Sequence, residues 1–284
     1  MAALFGPGGN CELFARSGAR STLQAPAFVA GMGLDAYEYE AGRGINASPD
    51  TLAAIGAEAR RCGIKMSFHT PYFISLSSVE PEKRAKSVGY ITDSAAASAL
   101  LGAEVMVVHC GSCASVPRDT AMGYSAETLL AAAEQLGKLG LGVKLGIETM
   151  GKENQLGTLE EVVTLCGLSP MFVPVVDFGH LNARTLGGIK TADDYMRIFD
   201  TIASRLGSGY IDTLHCHFSR IEYTAKGEKR HLTFADTEFG PDPLPLMSVI
   251  ARLGISPTII CESAGTQSAD SLTMKKAYEK AKNG

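Results

Sequence analysis

One pattern runs along almost the whole sequence: a short apolar run, a break of glycine, proline or polar residues, and then an amphipathic segment. Eight strands that alternate with helices favour a parallel barrel over an open doubly wound sheet. Several of the apolar runs are continuous, as expected for parallel strands covered on both faces. We therefore predict an α/β fold, a (β/α)8 TIM barrel, with strands at Ala3–Gly6, Asp35–Glu40, Lys65–His69, Val105–His109, Val143–Glu148, Phe172–Asp177, Tyr210–His217 and Pro257–Glu262.

The segments between these strands carry helix start and stop signals. Ser48-Pro49 precedes a helix at Asp50–Cys62, with Pro49 at the first helical position and Gly63 just beyond the end. Thr158 and Glu161 form a predicted capping box, in which each side chain satisfies a free backbone N–H. Further helices are predicted from Thr191 to about Leu206 and at Glu82–Leu101, Ser125–Leu139, Leu244–Leu253 and Ser271–Lys282. No linker divides the chain, so we predict a single domain over residues 1–284.

Composition narrows the class of protein. Gly6-Pro7-Gly8-Gly9 follows the first strand, but no G-x-G-x-x-G unit stands there, which argues against a dinucleotide-binding fold. No apolar stretch approaches the ~18 residues that span a bilayer, and no signal peptide is recognisable at the start. The seven scattered cysteines are typical of reduced thiols. We expect a cytoplasmic monomer without membrane contact. Its net charge of −4 indicates no bulk affinity for nucleic acid.

The six histidines and several carboxylates fall at or just after the predicted strand ends. In a parallel barrel these ends meet on one face, where barrel enzymes carry their chemistry. A lone histidine at a strand end is more often a hydrogen-bonded structural residue, and a lone carboxylate is often a helix cap. A full set on one face is hard to explain in that way. The set consists of His69, His109, Glu148, Asp177, His180, His215, His217, His231 and Glu262.

This set predicts a metal centre. Buried carboxylates and imidazoles need partners, and a cation supplies one for several groups at once. Imidazole with carboxylate suits zinc, with manganese or iron as alternatives. One ion needs three or four protein ligands, whereas eight or nine are available here. We therefore expect two or three ions, bridged by a carboxylate, of the kind that activates water against a phosphodiester.

The motifs in this set resemble those of the endonuclease IV family, the family-2 apurinic/apyrimidinic endonucleases, within the xylose-isomerase-like barrel superfamily. Each motif is weak alone, but seven stand in the family's order between His69 and Glu262. They are Ser67-Phe68-His69-Thr70-Pro71-Tyr72-Phe73-Ile74-Ser75-Leu76, Val108-His109-Cys110-Gly111-Ser112, Gly146-Ile147-Glu148-Thr149, Asp177-Phe178-Gly179-His180, His215-Cys216-His217-Phe218-Ser219, Lys229-Arg230-His231 and Ile260-Cys261-Glu262-Ser263.

The resemblance implies a trinuclear zinc site and a role in base excision repair, cleaving damaged double-stranded DNA 5′ to abasic sites. Glu148 would bridge two ions and position the attacking water, with Glu262 as the second catalytic carboxylate. Tyr72 matches a family aromatic residue near the bound phosphodiester, and Arg230 would contact the substrate. On this pattern the ligands are His69, His109 and Glu148 for the first ion, Glu148, Asp177, His215 and Glu262 for the second, and His180 and His231 for the third.

Two departures from the family pattern bear on this hypothesis. Lys229 stands where the family places an aspartate ligand, and a protonated lysine cannot bind a cation. Glu228 or Asp236 can take its place, or His217 can add a ligand, and a two-metal site remains open. The loop after the second strand reads Tyr37-Glu38-Tyr39-Glu40-Ala41-Gly42-Arg43-Gly44, where the DNA enzymes carry basic and aromatic residues. Its tyrosines could stack on bases, whereas its glutamates would repel phosphate.

Two other functions stay open at this point. A sugar isomerase or epimerase of the same superfamily would use one ion and proton transfer by Glu148 and Glu262. The surplus of histidines favours hydrolysis over that alternative. A zinc-dependent binding module without catalysis is the third, and Lys229 keeps it open. The loop from Arg220 to His231, with its mixed charges, is expected to face phosphate or solvent.

Overall fold

The computed structural model describes residues 2–284 and contains two sheets. Eight parallel strands form a TIM barrel, and two antiparallel strands form a separate hairpin. The strands are β1 (Leu4–Pro7), β2 (Ala36–Glu40), β3 (Lys65–His69), β4 (Val105–His109), β5 (Lys144–Glu148), β6 (Phe172–Asp177), β7 (His215–Phe218), β8 (Ile221–Thr224), β9 (Gly227–His231) and β10 (Thr258–Cys261). The hairpin consists of β8 and β9.

The helices surround the barrel. Their bounds are α1 (Glu12–Arg16), α2 (Ala25–Gly31), α3 (Pro49–Cys62), α4 (Pro81–Leu101), α5 (Arg118–Lys138), α6 (Leu159–Cys166), α7 (Phe178–Arg184), α8 (Ala192–Leu206), α9 (Gly209–Asp212), α10 (Pro243–Leu253) and α11 (Gln267–Asn283). The predicted capping box of Thr158 and Glu161 is present at the start of α6. Ser48 caps α3, and Gly63 ends it in the left-handed conformation. No helix within residues 2–284 is long and apolar enough to cross a membrane.

The barrel is hydrogen-bonded in the order β1-β10-β7-β6-β5-β4-β3-β2 and is nearly closed between β1 and β2. At that seam Asp35 N–H donates to the Phe5 carbonyl at 2.8 Å, and Gly9 N–H donates to the Glu38 carbonyl at 3.0 Å. The two strands approach closely at Gly6, where a Cβ atom would lie 1.8 Å from the Ala36 carbonyl oxygen. Glycine is therefore required at this point of the barrel.

Strand register places the site residues in layers inside the barrel. Directly paired residues of parallel strands point to the same face, and alternate residues along a strand share that face. Asp177 pairs with His217, and His215 lies one step deeper, paired with Val175. His109 pairs with Glu148 on the neighbouring strands. One layer at the carboxyl ends of the strands therefore carries most of the predicted ligands.

Three predicted elements differ from the structure. The strand predicted at Tyr210–His217 begins only at His215, because the chain first forms a helical turn in which Tyr210 N–H donates to the Gly207 carbonyl at 3.2 Å. The segment predicted as a loop from Arg220 to His231 is the β8–β9 hairpin, so His231 lies on a strand. Helix α5 also begins at Arg118, seven residues before the predicted start at Ser125.

Candidate metal centre

The predicted ligands do converge at the carboxyl ends of the barrel strands. Glu148, at the end of β5, lies at their centre and contacts four histidines. Its Oε2 atom is 3.2 Å from His109 Nε2 and 3.6 Å from His69 Nε2. Its Oε1 atom is 3.0 Å from His217 Nδ1 and 3.5 Å from His180 Nδ1. One fully buried carboxylate therefore joins the donor groups of the whole centre.

The first donor set that the resemblance implied is His69, His109 and Glu148. Glu148 Oε2 contacts both imidazoles, and the ligand atoms that lie within 4.8 Å of one another are those of His69, Glu148 and His217. The imidazoles of His69 and His109 have ring centroids 5.0 Å apart and meet edge to face. His69 Nδ1 lies 3.0 Å from the Thr70 carbonyl oxygen. A carbonyl oxygen can only accept a hydrogen bond, so Nδ1 carries a proton. The other nitrogen, Nε2, faces Glu148 and is available to bind a metal ion beside that carboxylate. The strand end thus fixes His69 in the tautomer that a metal ligand needs.

The second donor set is Glu148, Asp177, His217 and Glu262, whose ligand atoms lie within 4.8 Å of one another. Here the structure differs from the expected set, which contained His215. The side chain of His215 lies one layer deeper, and its Nε2 atom contacts Glu38 at 2.9 Å. Because a strand returns to the same face every second residue, His217 takes the upper place that His215 was expected to fill.

The third donor set combines His180 on α7 with Glu228 and His231 on β9, again within 4.8 Å. Glu228 was one of the residues that could replace the family's aspartate, and its Oε2 atom is 3.5 Å from His180 Nε2. Lys229 contacts Glu222 on β8 instead of this set. His231 Nδ1 lies 2.8 Å from Ser219 Oγ. The lysine at the family's ligand position is therefore beside the donor set, not part of it.

The donor atoms themselves indicate a cation. Glu148 Oε2 and Asp177 Oδ2 are both fully buried, and neither has a hydrogen-bond partner among residues 2–284. A buried carboxylate oxygen without a partner is costly, and a cation held between such oxygens removes that cost. Imidazole nitrogens and carboxylate oxygens are donors that zinc accepts, with manganese and iron as close alternatives. The residues present therefore fit divalent ions.

The ionisation of the centre leads to the same conclusion. Burial alone would raise the pKa of Glu148, but the charge at His217 and close contacts with His109, His180 and His217 lower that pKa well below its usual range. Burial lowers the pKa of His217, yet Glu38, Glu262 and Glu148 raise that pKa well above its usual range. The carboxylates thus require positive charge, which either protons or bound cations can supply. Cations replace those protons when ligands bind a metal.

A cleft of about 380 Å³ opens above the donor sets. Tyr72 stands at its mouth with 64% of its surface exposed, and its ring centroid is 5.8 Å from that of His69. Burial raises the pKa of Tyr72 to about 12, so its hydroxyl remains a donor at neutral pH. Lys152 and Gln155 also line the cleft. A larger cavity of about 810 Å³ lies between α1, α2 and α3, but no histidine lines it, so we place the chemistry in the smaller cleft.

Arg230, the other predicted substrate-binding residue, is not among the residues that line this cleft. Its guanidinium Nε donates to Glu222 Oε2 at 2.6 Å, and 69% of its side chain is exposed. Lys229 and Arg230 therefore share one carboxylate on the hairpin. Arg230 is next in sequence to His231, which lines the cleft, but its own side chain does not line it.

Residues 150–155, which form one wall of the cleft, are held from behind by two arginines. Arg184 donates to the carbonyl oxygens of Met150, Lys152 and Gln155 at 2.6–2.7 Å. Arg118 donates to the Glu153 carbonyl at 3.1 Å and is paired with Glu161. These bonds together fix the position from which Lys152 faces the cleft. Sequence reasoning missed this wall because carbonyl oxygens leave no pattern in the sequence.

Glu38 and Glu40, the two glutamates expected to repel phosphate, both face the inside of the barrel. Glu38 is fully buried, and Glu40 belongs to a donor group with Glu38 and Glu262. Burial raises the pKa of Glu40 to about 7. Their neighbours point the other way: Tyr37 is buried and bonds Asn10 Oδ1 at 2.9 Å, and Tyr39 stacks on Phe68. Neither tyrosine is placed to stack on a base.

The chain is similar in sequence to known proteins. A family model described as xylose isomerase-like TIM barrel matches residues 26–281. An uncharacterized protein of Methanocaldococcus jannaschii is 29% identical over 215 residues, which cover 76% of this chain and 77% of that protein. A probable endonuclease 4 of Acholeplasma laidlawii is 29% identical over 181 residues, which cover 62% of this chain and 60% of that protein. The resemblance indicated by the motifs is thereby confirmed.

Solved structures share the fold. Endonuclease IV from Thermus thermophilus superposes with a TM-score of 0.74 at 21% identity, over 98% of this chain and 99% of that one. A D-tagatose 3-epimerase-like protein superposes with a TM-score of 0.69 at 20% identity, over 88% of this chain and 90% of that one. Hydrolases and epimerases are thus both among the structural neighbours, and at these identities they indicate the barrel alone.

Proposed function

Since the chain belongs to the xylose isomerase-like TIM barrel family, we propose that it is a metal-dependent phosphodiesterase that cleaves duplex DNA 5′ to abasic sites. The observation that carries this proposal is the position of Glu148, whose carboxylate contacts histidines of all three donor sets. A proton transfer on a sugar needs one such set. Three sets around one carboxylate suit a reaction in which charge develops on several phosphate oxygens.

We assign the ligands to three ions by the distances between their side chains. His69, His109 and Glu148 would hold the first, and Glu148, Asp177, His217 and Glu262 the second. His180, Glu228 and His231 would hold the third. When bound, zinc ions would acidify the attacking water and neutralise charge on the phosphate and the leaving oxygen. The assignment agrees with the buried Glu148 Oε2 and Asp177 Oδ2 atoms, which have no hydrogen-bond partner in the described chain.

The side chains around the cleft have separate tasks in this reaction. Glu148 accepts a proton from the attacking water and orients it toward phosphorus. Tyr72, which lines the cleft, donates a hydrogen bond from its phenol hydroxyl to the phosphodiester or packs its ring against the sugar. Lys152 places a positive charge at the rim, on the wall that Arg184 holds rigid. These groups are positioned before the substrate arrives, which limits the reorganisation needed during the reaction.

The mouth of the cleft suits a nucleotide without its base. Tyr72 presents an exposed aromatic ring there, with 64% of its surface accessible. Aromatic rings stack on bases with little sequence preference. A volume of about 380 Å³ is small for a ligand site but can receive a sugar with its phosphate. An abasic nucleotide leaves the duplex at little energetic cost, because it has no base to unstack.

One observation favours a second candidate, an epimerase or isomerase acting on a sugar. The second donor set alone contains four ligands, among them Glu148 and Glu262, and would hold one ion between two facing carboxylates. Such a pair could remove and return a proton on opposite faces of a bound sugar. The first and third sets have no task in that reaction. The number of ions bound per chain therefore separates the two candidates.

The proposal is tested by incubating zinc-loaded protein with a duplex oligonucleotide that carries one abasic-site analogue. The control duplex lacks the lesion, and parallel samples contain a chelator or the Glu148→Gln variant. We expect cleavage 5′ to the lesion that chelator and variant both abolish. A protein that binds two or three ions but leaves both duplexes intact would contradict the DNA proposal. Epimerisation of a ketose by protein with a single ion would support the second candidate instead.

A further inference from the structure

Glu38 is the most deeply placed charge of the barrel whose purpose the proposed reaction does not explain. It lies in the middle of β2, is fully buried, and points inward because Tyr37 and Tyr39 occupy the opposite face. A buried carboxylate survives only with charged or hydrogen-bonding partners. Its partners in the structure are two histidines of β7.

The two oxygens of Glu38 divide between these histidines. Oε2 is hydrogen-bonded to His215 Nε2 at 2.9 Å. Oε1 lies 2.8 Å from His217 Nε2, within ion-pair distance, and neither of these two atoms forms a hydrogen bond within residues 2–284. The carboxylate therefore bridges the two imidazoles. His215 anchors one end of it, and His217 faces the other.

The ring of His217 connects Glu38 to the second donor set. Its other nitrogen, Nδ1, lies 3.0 Å from Glu148 Oε1 and 3.4 Å from Glu262 Oε1. A histidine that binds a metal through one nitrogen commonly donates its other N–H to a carboxylate. That bond fixes the tautomer and the orientation of the ring, and raises the basicity of the ligand nitrogen. His217 Nδ1 is hydrogen-bonded to Glu148 Oε1. An ion bound at Nδ1 would replace that contact and leave the single ring proton on Nε2, 2.8 Å from Glu38 Oε1.

We propose that Glu38 is a positioning residue for the second ion. With an ion bound, its Oε1 atom would accept a hydrogen bond from His217 Nε2–H, so that Nδ1 presents its lone pair to the ion shared by Glu148, Asp177 and Glu262. His215 holds the carboxylate in register by donating to Oε2. The inference rests on the metal centre of the proposed function and is independent of the substrate.

A fourth ion between Glu38, His215 and His217 is the competing explanation, since their ligand atoms also lie within 4.8 Å of one another. It would require His217 to bind ions through both nitrogens and therefore to lose both ring protons. An imidazole with one N–H donor and one acceptor needs no such ionisation. The positioning role is thus the simpler chemistry, and the ion count distinguishes the two.

The test compares Glu38→Gln with wild-type protein in the absence of any substrate. Glutamine keeps the shape and one acceptor but removes the negative charge. Zinc affinity is measured by competition with a chelating dye, and circular dichroism and thermal unfolding establish that the metal-free variant is folded. We expect affinity for one ion to fall roughly 10–100-fold while the other ions are held as before. In zinc-loaded wild-type protein labelled with ¹⁵N-histidine, we expect His217 to carry its proton on Nε2.

Asp270→Asn is the matched control. Asp270 is also a buried carboxylate, accepting from Phe234 N–H at 3.1 Å and from Thr266 Oγ1 at 2.7 Å, but it lies outside the donor sets. Its replacement should leave all zinc affinities unchanged. If Glu38→Gln does not fold, His215→Asn replaces it, because that change loosens the carboxylate without removing it. A smaller loss confined to the same ion is then expected.

Three results would overturn the inference. They are unchanged zinc affinity in the folded Glu38→Gln variant, a labelled His217 protonated on Nδ1 in the zinc-loaded protein, and a fourth ion that is bound by wild-type protein and lost in both Glu38→Gln and His215→Asn. Because none of these measurements depends on DNA cleavage, the two proposals fail separately. Protein that shows the Glu38 effect but does not cut abasic DNA loses the proposed reaction and keeps the positioning role.

Discussion

The second and third donor sets share a cleft but are built differently. Asp177 and His217 stand on barrel strands that are hydrogen-bonded on both sides, and both side chains are fully buried. Glu228 and His231 stand on β9, in a two-stranded hairpin outside the barrel sheet, and both are partly exposed. The barrel fixes one set as a consequence of folding, whereas the other depends on where the hairpin docks.

The docking of the hairpin depends on few contacts near the site. Glu228 N–H donates to the Gly151 carbonyl at 3.1 Å, and an isolated bridge joins Lys152 to Gly227. Isolated two-stranded hairpins are marginally stable, so these contacts and the packing of Ile221 determine the position of β9. We therefore predict that one ion can be removed by displacing the hairpin while the barrel and its other ions stay intact.

The largest effect is expected from Glu148→Gln, because this carboxylate contacts all three donor sets and its loss removes the difference between the barrel set and the hairpin set. The substitution keeps the volume but removes the charge that four histidines contact. We expect hydrolysis to fall by a factor of at least about 10²–10⁴, as for loss of a general base, together with loss of bound metal. Cleavage kinetics and metal analysis on the same sample measure both. Full activity in this variant would remove Glu148 from the mechanism.

Glu228→Gln should affect only the third set, because the carboxylate contacts His180 and is grouped with His180 and His231. We expect the zinc content to fall by one ion per chain, with the thermal unfolding temperature nearly unchanged. Glu222→Gln is the matched control, since that carboxylate lies on the same hairpin but faces Lys229 and Arg230. Equal loss of zinc in both variants would show that the hairpin as a whole, and not Glu228, holds the ion.

The sequence predicted the barrel well, since its strands and helices follow from periodicity and capping residues. Strand ends were equally legible: a histidine or carboxylate at the last position of a strand must lie on the catalytic face. His69, His109 and Glu148 were placed in this way, and the structure brings them together. The family match over residues 26–281 confirms the fold class.

The other site residues could not be placed from the sequence, because their roles depend on contacts between distant parts of the chain. The choice between His215 and His217 required the register of β7 against β6, which shifts every side chain when it changes by one residue. Glu38 resembled a loop carboxylate because its histidine partners lie far away in the chain, the nearer of them 177 positions on. The hairpin was missed because its strands are short and charged, and Glu228 gained its place only through it.

Gly227→Ala should have an intermediate effect by displacing the hairpin without removing a ligand. Gly227 has φ of +86°, and a Cβ atom there would lie 2.2 Å from the Gly151 carbonyl oxygen. Left-handed backbone at an ordinary residue costs about 1–3 kcal/mol, and the clash adds a local displacement. We expect weaker binding of one ion, measured by chelator competition. Gly254→Ala is the control, because that glycine is also left-handed but has open space around it.

The smallest effect is expected from Lys229→Asp, although this change restores the family's motif. An aspartate at this position would face Glu222 rather than His180, because the present side chain is paired with Glu222 on the outer part of the hairpin. Since Glu228 already completes the third set, the number of zinc ions per chain should stay the same, and Lys229→Ala should behave alike. Metal analysis of the three proteins decides this. A gain of one ion confined to the aspartate variant would mean that the hairpin adopts the family's register in solution, and the contrast between a fixed barrel set and a separately docked hairpin set would then have to be redrawn around Lys229.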